Sequence, residues 1–130
     1  MKLKEVIQAK DAIKTLTEKR LTNYQKARDL VKLRKKVESE YDFYAEQEKQ
    51  AVLAHGEIGQ MGTPVFLKDG RLKLKSAEDK EAFEKEILDL MNTEVDGIET
   101  ITLTEADFRS ADDIPTPDEM FVLETLVSFE

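Results

Sequence analysis

The residues from about 24 to 55 set the hardest condition on the fold. Ala27, Leu30, Val37, Tyr41, Tyr44, Ala51 and Val52 recur at helical spacing, and no Pro or Gly interrupts them. His55-Gly56 then reads as the end, with Gly56 expected in a left-handed cap. A helix of that length measures about 48 Å. A compact chain of 130 residues has a radius of gyration of about 14 Å. Such a helix should outrun any one set of neighbours, so other elements or a second chain must cover the rest of its apolar stripe.

The first cover is legible upstream. Leu3, Val6, Ala9, Ile13 and Leu16 share one face of a helix over 3–19, and Thr22 or Asn23 can cap the next one. A tight loop would pair Leu16 with Ala27, Ile13 with Leu30, Ala9 with Arg34 and Val6 with Val37, numbers that each add to 43. This predicts an antiparallel helical hairpin. Arg34 and Glu48 stand in the stripe where apolar side chains belong. Arg34 is expected to lay its stem across Ala9 and send its head to Glu5 or solvent.

Downstream, "TPVFLKDGRLKLKS" (63–76) reads as a β-hairpin with Asp69-Gly70 as a two-residue turn. That register puts Val65, Leu67, Leu72 and Leu74 on one face and Phe66, Lys68, Arg71 and Lys73 on the other. Ser76, with Asp79 three residues on, opens a helix over 77–92 carrying Phe83, Ile87, Leu90 and Met91. "IETITL" (98–103) alternates as a strand. Thr116-Pro117-Asp118-Glu119 starts a last helix expected to reach the terminus through Met120, Leu123, Leu126 and Val127. The fold class expected is α+β in one domain, 1–130. A basic helical hairpin over 1–55 projects from a small acidic body over 56–130, built of the β-hairpin, one further strand and two C-terminal helices.

Charge is segregated. The net charge is −8, yet residues 1–36 sum to +8, 37–60 to −5, 61–75 to +3 and 76–130 to −14. Arg28, Lys32, Lys35 and Lys36 form a strip opposite the apolar stripe. Phosphates reward such rows, but no aromatics interleave with these cations and the overall charge repels a polyanion. No sequence-specific nucleic-acid binding is expected, and the strip reads as a solvated face or a protein contact. The basic face of the hairpin reads in the same way.

Catalytic chemistry has little to work with. There is no Cys and a single His, His55, expected to be a packed or capping residue. No phosphate loop, nucleophile elbow or calcium loop occurs. Asp107 with Asp112-Asp113 could ligate a divalent ion, although a solvated turn is the simpler reading. No catalytic residue, metal site or cofactor is expected, and the chain reads as no enzyme. No apolar run approaches a membrane span, and "MKLKEVIQAK" lacks a signal-peptide core.

The run "YQKARDLVKLRKKVESEYDFYAEQEKQAVLAHGEIGQMG", followed by "AFEKEILDLMNTEVDGIETITL" and "IPTPDEMFVLETLVSFE", resembles small bacteriophage and prophage proteins of unknown function. That family has a leucine-rich first helix, a long charged helix, a Gly-containing hairpin and an isoleucine-rich strand. The resemblance implies a viral product without catalytic residues. The expected role is a phage accessory protein that binds a host or phage protein in the bacterial cytoplasm. Two alternatives are a minor component of the particle and an acidic DNA mimic. The residues expected to meet a partner, either a host or phage protein or a second copy, are Arg28, Lys32, Arg34, Lys35, Lys36, Tyr41, Tyr44 and Glu48.

Overall fold

The computed structural model describes all residues, 1–130. The fold is mixed α and β. In chain order it has α1 (Leu3–Thr17), α2 (Tyr24–His55), α3 (Ala77–Met91), β1 (Ile101–Leu103), α4 (Pro117–Leu123) and β2 (Val127–Phe129). Contacts divide the chain into two compact units. One comprises Met1–Tyr41 with Glu94–Glu130, the other Asp42–Thr93. The division falls inside α2, whereas the sequence suggested a division after it, at residue 56.

The first unit holds most of the core. Leu3, Val6, Ala9, Ile13 and Leu16 of α1 are buried, as are Leu30, Leu33 and Val37 of α2. Residues 94–130 close over them. α1 packs against α4, and the main chain of Val95 donates to the Met1 carbonyl. Asn23, one of the two expected caps, accepts from the Lys26 amide and starts α2.

The helix pair forms, in a register different from the expected one. Arg34 Nη1 donates to Thr17 Oγ1 at 3.1 Å, and the Lys10 ammonium lies 4.1 Å from the centre of the Tyr41 ring. Both pairs of numbers add to 51 rather than 43. The cause lies in the connection, which is not a tight loop. Leu21 is buried and bridges antiparallel to Phe108, while the amides of Thr22 and Arg109 donate to the carbonyls of Asp107 and Arg20. Lys26 Nζ meets Asp107 Oδ2 at 2.7 Å. The connecting residues are thus spent on pairing with 107–109, and α2 starts further along than a tight turn would place it.

Thr116 caps α4 through the Glu119 amide, as its sequence suggests. The expected helix to the terminus is corrected, because α4 stops at Leu123 and residues 127–129 form β2, parallel to β1. Leu123, Leu126 and Val127 are buried in either case. The strand is favoured because β1 supplies backbone partners: Ile101 donates to Leu126, and Glu130 donates to Leu103. A parallel pair needs a crossover, and 104–126 with α4 provides it.

In the second unit, three short arms at 56–58, 64–66 and 72–74 form a closed ring. Gly56 pairs with Leu74, Ile58 with Pro64, and Phe66 with Leu72. Hydrogen bonds run around it: the Glu57 amide donates to Lys73, Lys73 to Val65, and Val65 to Glu57, at 2.8–2.9 Å. The expected hairpin is present with a three-residue loop, Lys68–Gly70. The Leu67 amide donates to Arg71, and Gly70 has φ +86°. This is the turn-plus-left-handed-glycine loop. It shifts the register by one residue, which exchanges faces on one arm. The basic residues therefore do not form one ribbon face.

Gly56 is not in the left-handed region, which corrects the expected cap. Its amide still donates to Val52, and a Cβ there would lie 2.6 Å from the Val52 carbonyl oxygen. Glycine is required at this position for space. Ser76 caps α3 as expected, accepting from the Asp79 amide.

Leu30→Ala should cost about 2–5 kcal/mol in urea unfolding of the dilute chain, as for other fully buried leucines. Leu88→Ala, at a site 62% exposed, should cost less than about 0.5 kcal/mol.

Candidate interaction surface

Apolar burial is very unevenly shared. Of seventeen buried apolar side chains, sixteen belong to the first unit and only Ala51 to the second. Of ten large apolar side chains left exposed, seven lie in 42–93. They include Met61 at 91%, Phe66 at 61% and Leu88 at 62%. The reasons are local. α3 buries no residue completely, and its stripe at Phe83, Ile87, Leu90 and Met91 is half-buried. The ring is too small to enclose side chains.

A cleft of about 550 Å³ opens between the ring and the start of α3. Leu67, Leu72, Leu74 and Phe83 line it, with Arg71, Lys73 and Lys80 at its margins and Glu84 as the one acid. Arg71 pairs with Asp69 and Lys73 with Glu57. The cleft combines an apolar floor with a rim of mixed charge, in which Lys80 is the one cation outside these pairs.

His55 joins the end of α2 to α3. Nδ1 lies 2.9 Å from Asp79 Oδ1 and Nε2 lies 2.9 Å from Glu86 Oε1. Both nitrogens can then carry protons and donate, so neither is left as a general base. The hydrogen bond to Asp79, then that to Glu86, raises the imidazole pKa above 6.5. The hydrogen bonds from His55 and Ser76 hold Asp79 below its usual 3.8. The histidine expected to be a packed or capping residue is an ion-paired clasp.

The residues singled out in the sequence do not converge. Arg28, Lys32 and Lys35 are exposed on α2. Lys36 pairs with Glu40 at 3.0 Å. Arg34 reaches Thr17 rather than Glu5, and its Nε lies 3.6 Å from Glu38 Oε1, so Arg34 serves the helix pair. Tyr41 lies under Lys10, and Tyr44 donates to Glu48. A groove of about 400 Å³ beside Lys26, Lys32 and Lys36 also holds Asp29 and Glu99, which dilutes its positive charge. Asp107 is committed to Lys26 and to the amide of Thr104, which together hold its carboxyl below the usual range. Asp113 accepts from Ser110.

The cleft was not visible in the sequence. No protein family, curated protein or solved structure matches the chain. No helix is long and apolar enough to cross a membrane.

The clasp has a definite pH signature. A raised imidazole pKa contributes stability that is complete below 6.5 and is lost as pH rises through the folded value. The depressed Asp79 contributes above 3.8 and is lost as pH falls through its own folded value. Segment 42–93 should therefore be firmest between 3.8 and 6.5. An NMR titration should place the His55 midpoint above 6.5. His55→Asn should abolish the pH-dependent loss of amide protection around residues 75–79 above that midpoint.

Proposed function

We propose that this chain is a non-enzymatic binding protein whose segment 42–93 is completed by a protein partner. One observation carries the reading: 52 residues fold with Ala51 as their only buried apolar side chain. A unit with so little interior gains little from folding alone, and exposed apolar groups at this density mark interaction surfaces. The expected partner surface on α2 between Arg28 and Glu48 is replaced by the ring, the cleft and α3. The commitment of both His55 nitrogens argues against acid–base chemistry at the only histidine. The resemblance to small phage proteins supports a viral accessory role, with a host or phage protein as the partner.

Amide hydrogen exchange on the dilute chain tests the reading. Segment 42–93 should exchange much faster than 1–41 and 94–130, because local stability follows buried contacts. A photo-crosslinking residue at Met61 or Leu88 should form protein adducts in cells, while one at Lys32 should not. Protection of 42–93 equal to that of the first unit, with no adducts from Met61 or Leu88, would overturn it.

A further inference from the structure

His55 is held in an arrangement that only its protonated form can keep. Nδ1 faces Asp79 Oδ1 and Nε2 faces Glu86 Oε1, each at 2.9 Å. A carboxylate accepts and does not donate, so both bonds exist only when both nitrogens carry protons. A neutral ring has one proton to place, and the other nitrogen then turns a lone pair toward an anion. The two carboxylates are not equally tethered. Asp79 also accepts from Ser76 Oγ at 3.0 Å at the capped start of α3, where the charge of Lys75 favours it too. Glu86 lies two turns further along α3, its partner is His55, and its side chain is 53% exposed against 29% for Asp79. The other charges around the ring are already engaged. The Lys75 ammonium donates to the Ala54 carbonyl, Glu57 pairs with Lys73, and Glu48, two turns back on α2, accepts from Tyr44. Residues 51–54 of α2 are apolar.

Glu86 also borders a groove of about 340 Å³ between α2 and α3, lined by Ala51, Ile87 and Leu90. We propose that His55 is a proton-operated latch: the protonated ring clamps α3 to α2 through Asp79 and Glu86, and loss of the proton frees Glu86 and opens the groove lined by Ala51, Ile87 and Leu90. The neutral ring keeps its proton on Nδ1, because Asp79 is the better-held acceptor, and that bond weakens as its donor loses charge. Nε2 then presents a lone pair to Glu86, which swings into water. α3 stays tethered at its first turn while its second half loosens. The loss of amide protection around 75–79 is therefore the smaller part, and the loss over 86–91 the larger. The hydrogen bonds to Asp79 and Glu86 that form the latch also raise the imidazole pKa, so release falls above 6.5. The latch goes beyond the binding reading, since it is internal to segment 42–93 and operates whether or not a partner is present. It sets how much apolar surface that segment presents.

Nitrogen NMR of the full chain reads the latch directly. Above its midpoint His55 should be the Nδ1–H tautomer, the form that free histidine disfavours. The absence of cysteine also allows an accessibility probe. Leu90→Cys, in the groove, and Leu88→Cys, at a site 62% exposed on the same helix, are labelled with a maleimide below 6.5 and above the His55 midpoint. The ratio of the two rates cancels the thiol's own titration. It should rise about threefold across the midpoint, the size expected for one partly exposed ion pair. Glu86→Gln should hold the ratio low on both sides, because its amide accepts from the imidazolium and donates to the bare Nε2. Glu86→Ala should hold it high on both sides, whereas a merely structural carboxylate would make the two variants alike. Amide exchange over 86–91 in the native sequence reads the same opening without the cysteine. An Nε2–H tautomer, a ratio and exchange that ignore pH, or Glu86→Gln behaving as Glu86→Ala would each overturn the proposal.

Discussion

Everything in this structure depends on how α2 is covered. A 32-residue helix rich in charge does not persist on propensity alone, because helical stability in proteins comes mainly from packing of an apolar face. Leu30, Leu33 and Val37 receive that packing in full. Beyond Tyr41 the cover thins to one buried side chain, Ala51, beside the half-buried Val52 and His55. One helix therefore runs from a unit with a real interior into a unit with almost none. The contact boundary falls at that change in burial, although the helix itself continues without a break.

In the first unit the residues that connect α1 and α2 set the helix register through their pairing with 107–109. Asp107 is buried, and it is stabilised as a carboxylate by Lys26 and the Thr104 amide. Breaking such a pair leaves a charge without compensation, so both ends are fixed together. With Leu21 and Thr22 paired to 107–108, the connection cannot tighten, and α1 and α2 meet about eight positions from the arrangement a short turn would give.

The sequence made α1, α2 and α3 legible to within two residues, and the start of α4, because apolar period and caps are local signals: Ser76, Asn23 and Thr116 all cap where they stand. Long-range facts were out of reach. Leu126 and Val127 fit the inward face of a helix and of a strand equally well, and only the presence of β1 decides between them. The hairpin register turned on whether Lys68 or Asp69 begins the loop: the two-residue Asp-Gly turn needs positive φ at both residues, and only Gly70 has it. Five of the eight expected contact residues were spent inside the chain: Lys36 and Tyr44 pair one turn along α2 with Glu40 and Glu48, whereas Arg34 and Tyr41 meet Thr17 and Lys10 of α1, which only the packing of the two helices decides. The cleft needed the ring, and the ring depends on three arms whose mutual pairing no local pattern encodes.

Closure of that ring also determines the kind of recognition available. An open hairpin in a poorly covered segment would offer strand edges to any extended chain. Here the central residues of the arms, Glu57, Val65 and Lys73, direct both their amides and their carbonyls around the ring. Backbone pairing is thereby removed as a route to association at those positions. What remains exposed is side chains: Phe66, Met61, the cleft floor and its rim of mixed charge. Recognition through side chains depends on shape and charge, whereas strand addition accepts nearly any sequence. A segment this short of interior would otherwise be an aggregation hazard. On the binding role we propose, the ring restricts recognition to side chains that fit the hollow beside it.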